Sequence, residues 1–315
     1  MFEPPTQSSA EPIRPEAPQT PARLLGVVGD LVEDIIVWSE CELRPATDNP
    51  SRITRTRGGS AANVAALAAS AGIGARFIGR VGADAAGSQL IDALAATGVD
   101  VRAQRHGRSG TVVVLVDGTG ERTMFPDRAA AAELSEVPEA WLESLGILHA
   151  TSYSFAADPA AGATIALTQA ARRAGIEVSL DASSTGLLED LGIARYLDYV
   201  RTISPTIFFA NASEAAMLEL DEPPFAKMLR IVKDGSRPTT VLSPDGSRSE
   251  VPVALVDGVR DATGAGDAFA AGFLAAHLCG SDVLAAVNAG HALARSVLRS
   301  PGAGLHAMNF ETTPE

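Results

Sequence analysis

Gly264, Ala265 and Gly266 stand directly before a carboxylate, Asp267. An apolar run from Ala268 to Leu278 follows and stops at Gly280. The pattern predicts a glycine-rich turn that opens a helix and carries an acid in its first turn. The first N–H groups of a helix have no intrahelical partner, and the helix dipole is positive there. Glycines let an anion approach that backbone closely, so the turn suits a phosphate or an oxyanion. A carboxylate beside such a cradle suits phosphoryl transfer to a hydroxyl: the cradle holds charge and the acid accepts the proton. An ordinary helix-start acid behind turn-forming glycines would leave the same letters. A dinucleotide fingerprint fits less well, because Phe269 occupies the place of its third glycine.

The rest of the chain must position that turn. It has 315 residues, 46% of them hydrophobic, enough for a large core. The net charge of −13 gives no electrostatic footprint for nucleic acid or an anionic membrane. Anionic ligands must then be held by backbone donors and a few arginines. Only two lysines occur, Lys227 and Lys233, and neither follows a glycine, so the G-x-x-x-x-G-K-[ST] phosphate loop is absent. Cys41 and Cys279 make neither a disulfide framework nor a zinc quartet. No signal peptide and no membrane-spanning stretch is read, so a soluble, cytoplasmic chain is the expectation.

Residues 1–22 hold six prolines among Ser, Gln and Glu and are expected to form a floppy tail. The remainder, 23–315, is expected to be one domain. Leu24 to Asp30 reads as a buried first strand. Residues 31–57 read as a flap of short strands split by polar residues and proline. Gly58-Gly-Ser-Ala-Ala-Asn63 opens a helix over 61–71, and Asp84 caps another that runs through Leu94. Thr111–Val116 and Arg122–Phe125 flank Asp117-Gly-Thr-Gly120 as a hairpin, which should pair with the flap.

Strands at 147–150, 177–180, 206–210 and 239–242 then alternate with helices at 160–174, 187–199, 213–220 and 225–233. A further strand at 253–256 leads into the Gly264 turn, and a last helix covers 282–298. This alternation predicts a doubly wound α/β fold: a mostly parallel sheet with helices on both faces, plus a small β lid over about 31–57 and 111–125. Ligands of such sheets bind beyond the carboxyl ends of the strands. Asp30, Asp34, Asn211, Ser243 and Asp267 all fall at or just past predicted strand ends, which argues for one site.

These residues carry a family likeness. Gly58-Gly-Ser-Ala-Ala-Asn-Val-Ala-Ala resembles the N-terminal signature of the ribokinase-like (PfkB) carbohydrate kinases, which include B-type phosphofructokinases and adenosine kinase. Asp261-Ala-Thr-Gly-Ala-Gly-Asp267 resembles the C-terminal one, and Ile78–Asp84, Gly120–Met124 and Asn211-Ala-Ser-Glu214 follow family order between them. The resemblance covers roughly residues 24–306.

It implies ATP-dependent phosphorylation of a sugar, sugar acid or related polyol, with Asp267 as base and the N–H groups of Gly264, Ala265 and Gly266 as the anion hole. It implies that Asp34, Gly58, Gly59 and Asn63 bind the sugar, joined by Asp30. It implies that Asn211 and Glu214 place Mg²⁺ and phosphate through water, and that Asp261 and Thr263 lie where some members bind K⁺. Ser243 and Gly246, in Leu242-Ser-Pro-Asp-Gly246, would take the adenine-side loop, where Ser243 replaces a usual glycine. His291 would stand beside adenine, where Asn is common. In many members two lids meet, so a homodimer through the lid is implied. A nucleoside kinase, or a sugar- or nucleotide-sensing protein without catalysis, would fit the same fold.

Overall fold

The computed structural model describes residues 23–39, 41–118, 121–256 and 263–298. The proline-rich tail and Asp261 lie outside these residues, as do Thr119 and Gly120 of the expected hairpin turn. In chain order the strands are β1 (Leu24–Val28), β2 (Val32–Ser39), β3 (Ser51–Gly58), β4 (Ala75–Val81), β5 (Asp100–Arg105), β6 (Thr111–Val116), β7 (Arg122–Asp127), β8 (Leu145–Thr151), β9 (Glu177–Asp181), β10 (Ile207–Asn211), β11 (Leu229–Asp234), β12 (Arg237–Leu242) and β13 (Arg248–Val251). The helices are α1 (Ser60–Ser70), α2 (Ala85–Ala95), α3 (Ala160–Arg173), α4 (Thr185–Leu191), α5 (Ile193–Ile203), α6 (Ala212–Leu218), α7 (Ala265–Leu278) and α8 (Val283–Leu298).

Nine strands form the main sheet in the order β13-β12-β11-β10-β9-β8-β1-β4-β5. It is parallel from β11 to β5, and β12 and β13 are antiparallel at one edge. The central parallel strands β1, β8 and β10 are largely apolar because helices cover both faces. Leu25 and Val27 of β1 enter the core that holds α1, α2, α7 and α8. Val28 points the other way, into the core under α3, α5 and α6. The chain leaves β1 for β4 and β5 on one side and returns through β8 to β11 on the other. The switch point therefore lies between β1 and β8, which is where such sheets open a crevice.

The second sheet, in the order β3-β2-β6-β7, has its own small core of Ile36, Val114 and Val116. The flap and the hairpin thus pair as expected, although β2 and β3 are continuous eight-residue strands rather than broken ones.

Several expected elements differ. The helix expected over 187–199 is two helices, α4 and α5, parted at Gly192, whose φ of +81 suits glycine. The expected helix at 225–233 is a short 3₁₀ turn, Phe225–Lys227, followed by strand β11. Pro223 and Pro224 disfavour an upstream helix, and the Leu229-Arg-Ile-Val run completes a ladder with β10. Residues 252–256 form no strand; the edge is filled instead by β13. β5 extends the opposite edge without having been anticipated.

Helix α7 is held by close backbone packing on α8. A Cβ added at Gly272 would lie 2.6 Å from the Ala289 carbonyl oxygen and 3.0 Å from the Gly290 Cα. Backbone cannot give way as a side-chain tip can. Gly272→Ala should therefore destabilise the protein by about 1–3 kcal/mol, the usual cost of overpacking. Thermal unfolding checks this: the melting temperature should fall by several degrees, and an unchanged value would mean that the helices separate freely.

Candidate active site

Gly264 caps α7 in the left-handed region, at φ +75 and ψ 0, where an L side chain would be strained. That turn points the N–H groups of the first turn outward, beside Asp267. Position 266 is bare as well: the nearest atom to a Cβ there would be the Lys233 ammonium, at 3.7 Å. A cradle of N–H groups and a lysine thus lie side by side.

Asp267 is fixed by α1. The Ser60 hydroxyl donates to its Oδ1 at 2.6 Å, and the Asn63 amide donates to its Oδ2 at 2.9 Å. Burial pushes its carboxyl up to about 6; the Ser60 and Asn63 hydrogen bonds oppose this, Asp181 adds to it and Lys233 opposes it. Asn63 in turn accepts from Arg57 Nη1 at 3.3 Å. The α1 helix can approach because Gly59, at φ +100, has no side chain: a Cβ there would fall 2.2 Å from the Asp30 carbonyl oxygen.

Asp34 on β2 lies against Gly58, where a Cβ would stand 2.1 Å from its Oδ1. Burial raises the Asp34 carboxyl to about 7, opposed by Arg57 and Arg122 and assisted by Asp267 and Glu33. Asp30 is 8% exposed and fully engaged: Arg128 forks it through Nε at 2.6 Å and Nη2 at 2.7 Å.

At the carboxyl ends of β9, β10 and β11 lie Asp181, Asn211 and Lys233. Lys233 Nζ donates to Asp181 Oδ2 at 2.9 Å, and that partner, with Glu214 and Asp267, keeps the ammonium pKa raised against burial. Asn211 and Glu214 form a capping box on α6: Asn211 Oδ1 accepts from the Glu214 N–H at 2.9 Å and Glu214 Oε2 accepts from the Asn211 N–H at 2.8 Å. Glu214 is buried, and its carboxyl is raised by burial and by Asp181.

The structure therefore brings Asp30, Asp34, Gly58, Gly59, Asn63, Asn211, Glu214, Gly264, Ala265, Gly266 and Asp267 to one end of the sheet. Ser243 and Gly246 are not among them. β12 runs antiparallel to β11, with Leu242 opposite Arg230, so the 243–246 turn lies at the other end. The turn on the Asp267 side is 235–236. His291 is pinned in the core: its Nε2 meets Thr239 Oγ1 at 2.8 Å and its ring tilts against Phe269. Thr263 accepts from Arg122, and with Asp261 outside the described residues no cation site is drawn from the pair.

Sequence reasoning missed Ser60, Arg57, Arg122, Arg128, Asp181 and Lys233. Ser60 lay inside the Gly58–Asn63 motif. Lys233 was one of only two lysines, but the expected helix over 225–233 hid its place at a strand end.

A bare helix start beside a buried carboxylate, at the crevice of a doubly wound sheet, is an arrangement that suits phosphoryl transfer to a small molecule. The model of the pfkB family of carbohydrate kinases matches residues 22–308, and the chain belongs to that family. It is a phosphotransferase with an alcohol group as acceptor. It is 35% identical over 252 residues to an ATP-dependent ribose-1-phosphate kinase of Halopiger xanaduensis, covering 76% of this chain and 80% of that protein. It is 32% identical over 272 residues to a fructokinase of Klebsiella pneumoniae, covering 79% and 82%. Among solved structures, ribokinase from Cryptococcus neoformans with ADP superposes at a TM-score of 0.75 with 20% identity, covering 91% of this chain and 98% of that one. Adenosine kinase from Sinorhizobium meliloti superposes at 0.78 with 23% identity, covering 89% and 94%. At these identities the structural likeness shows the fold.

The hydrogen bonds of Ser60 and Asn63 favour the ionised form of Asp267, so losing either should raise its pKa further. Titration of ¹³C-carboxyl signals, assigned by comparison with Asp267→Asn, should place Asp267 near 6. In Ser60→Ala the midpoint should move to higher pH. A midpoint near the ordinary 3.8 would contradict the desolvation on which this rests.

Proposed function

We propose that the protein transfers the γ-phosphoryl group of ATP to a hydroxyl of a sugar or sugar derivative, with Asp267 as general base. The observation that carries this is Asp267 itself: a carboxylate raised to about 6, held by Ser60 and Asn63 beside the N–H groups of Gly264, Ala265 and Gly266. Near neutral pH such a carboxylate is mostly ionised yet basic enough to take a hydroxyl proton as the new bond forms. The cradle meets the charge spread over the phosphoryl oxygens. Lys233 adds a fixed positive charge at Gly266, on the side away from the sugar. The nucleotide then runs along the carboxyl ends of β10 and β11, past Asn211 and the 235–236 turn.

Asp181 lies close enough to Glu214 to help burial raise its carboxyl, and such a pair of acids fits one Mg²⁺ held largely through water and nucleotide oxygens. Bound there, magnesium would neutralise phosphate charge. The acceptor side is formed by Asn63, Asp34 and Arg57, the last two on the small sheet, which acts as a lid that excludes water. Its charged lining favours a sugar over the larger apolar pocket that a nucleoside would need.

ADP release with a panel of sugars, sugar derivatives and nucleosides at saturating MgATP tests this reading. Asp267→Asn should lower kcat by on the order of 10²–10⁴ while nucleotide binding, measured by calorimetry, persists. Near-wild-type turnover would remove Asp267 as base. Lys233→Met should raise the KM for ATP and lower kcat, leaving the acceptor KM close to wild type. If the lysine only neutralised Asp181, the double variant Lys233→Met/Asp181→Asn would recover activity; no recovery is expected.

A further inference from the structure

Three arginines outside the N- and C-terminal signatures surround the acceptor end of the site. Arg57, on β3, is 5% exposed. Its Nη1 donates to Asn63 Oδ1, the residue that holds the base, while its Nη2 is buried with no partner among the described residues. Arg128, just after β7, spends Nε and Nη2 on Asp30, while its Nη1 is likewise buried and without a partner. Arg122, on β7, donates to Thr263 at the mouth of the cradle and acts electrostatically on Asp34. Both orphaned arms belong to residues tied to the first turn of α1. Arg57 reaches that turn through Asn63. Arg128 reaches it through Asp30, whose carbonyl accepts from Ala62 N–H and packs on Gly59.

A buried donor left unsatisfied costs about 1–3 kcal/mol, and more when it is charged. A chain of net charge −13 has no general need to gather cations at this point. A neutral polyol would not require them either, since the carboxylates and Asn63 already supply its acceptors and donors. Building on the kinase reading above, we propose that the acceptor is an anionic sugar, specifically one that already carries a phosphate ester. Arg57 and Arg128 each offer one N–H arm, from different parts of the chain. That arrangement suits a tetrahedral phosphate, whose oxygens point in several directions. It suits a carboxylate less, because carboxylates pair best with the parallel arms of one fork. The reaction keeps this phosphate in place: the acceptor hydroxyl oxygen bonds to the γ-phosphorus, the bond from that phosphorus to the β,γ-bridging oxygen breaks, and the hydroxyl proton passes to Asp267. The products are a sugar bisphosphate and ADP.

Matched pairs test the proposal on the full-length protein: ribose with ribose 1-phosphate and ribose 5-phosphate, and fructose with fructose 1-phosphate and fructose 6-phosphate. Gluconate serves as the carboxylate arm. The preferred phosphate ester should exceed its parent sugar in kcat/KM by roughly 10²-fold or more, as sites built to bond a polar group reject analogues that lack it. Arg57→Gln and Arg128→Met should each raise the KM for that ester about tenfold or more, without raising the KM for ATP. A rise in the ATP KM alone would assign the arginines to the nucleotide and overturn the proposal. Calorimetry on Asp267→Asn gives a reading independent of turnover. There, the phosphate esters should bind more tightly than the parent sugars, gluconate and inorganic phosphate. Equal or tighter binding of the parent sugar or gluconate overturns the anion site, as does failure of every ester to bind at millimolar concentration. Tight ester binding with no ADP release by the wild-type protein would support the anion site and sink the kinase reading.

Discussion

The structure depends on the pair of hydrogen bonds that Asp267 accepts from Ser60 and Asn63. They join the first turn of α7 to the first turn of α1 across 207 and 204 residues of chain. Each helix start would otherwise be a surface turn. Together they set a carboxylate between the anion cradle and the acceptor side. The bonds bias Asp267 toward its ionised form, while burial pushes the other way. The outcome, near 6, is a compromise in which burial outweighs the hydrogen bonds that oppose it. Glycines at 59, 264, 272 and 290 make it attainable, because each marks a place where backbone approaches backbone or turns through positive φ.

Charge is arranged around that junction with a clear polarity. On the side proposed for the nucleotide, Asp181 and Lys233 sit at strand ends and Glu214 in the first turn of α6, with the start of α7 beside them. On the side proposed for the acceptor, Asp30 and Asp34 face Arg57, Arg122 and Arg128, which come from the small sheet and the turn that follows it. The small sheet thus brings charged groups as well as shape to the site. Its core of Ile36, Val114 and Val116 is small, so its position depends largely on its ion pairs and hydrogen bonds to the main body.

The alternation of apolar runs with helical stretches was sufficient to read the parallel sheet, because its central strands, covered on both faces, are largely apolar. The Asp267 turn, Asn63 and the Asn211–Glu214 pair were legible for a similar reason: their chemistry is local, set by glycines, caps and helix starts within a few residues. The reading failed where neighbours decided. Leu229–Asp234 could be helix or strand by its own letters, and only the open edge of β10 made it β11. That one assignment carried two errors with it. It concealed Lys233, and it left β12 with the wrong direction, which sent Ser243 and Gly246 to the wrong end of the sheet.

By itself, then, the sequence determined the α/β class, the glycine-rich turn that opens α7 and the carboxylate within it. These follow from periodicity and from backbone chemistry that acts over one or two turns. Tertiary structure alone decided which charges meet. The contacts of Arg57 with Asn63, Arg128 with Asp30, Lys233 with Asp181 and Ser60 with Asp267 join segments whose letters say nothing of one another, apart from the near pair Arg57 and Asn63. An ion pair or a hydrogen bond between distant segments leaves no periodic trace along the chain. It is set by strand order, strand direction and the close approach of two helices, and these emerge only when the sheet has assembled.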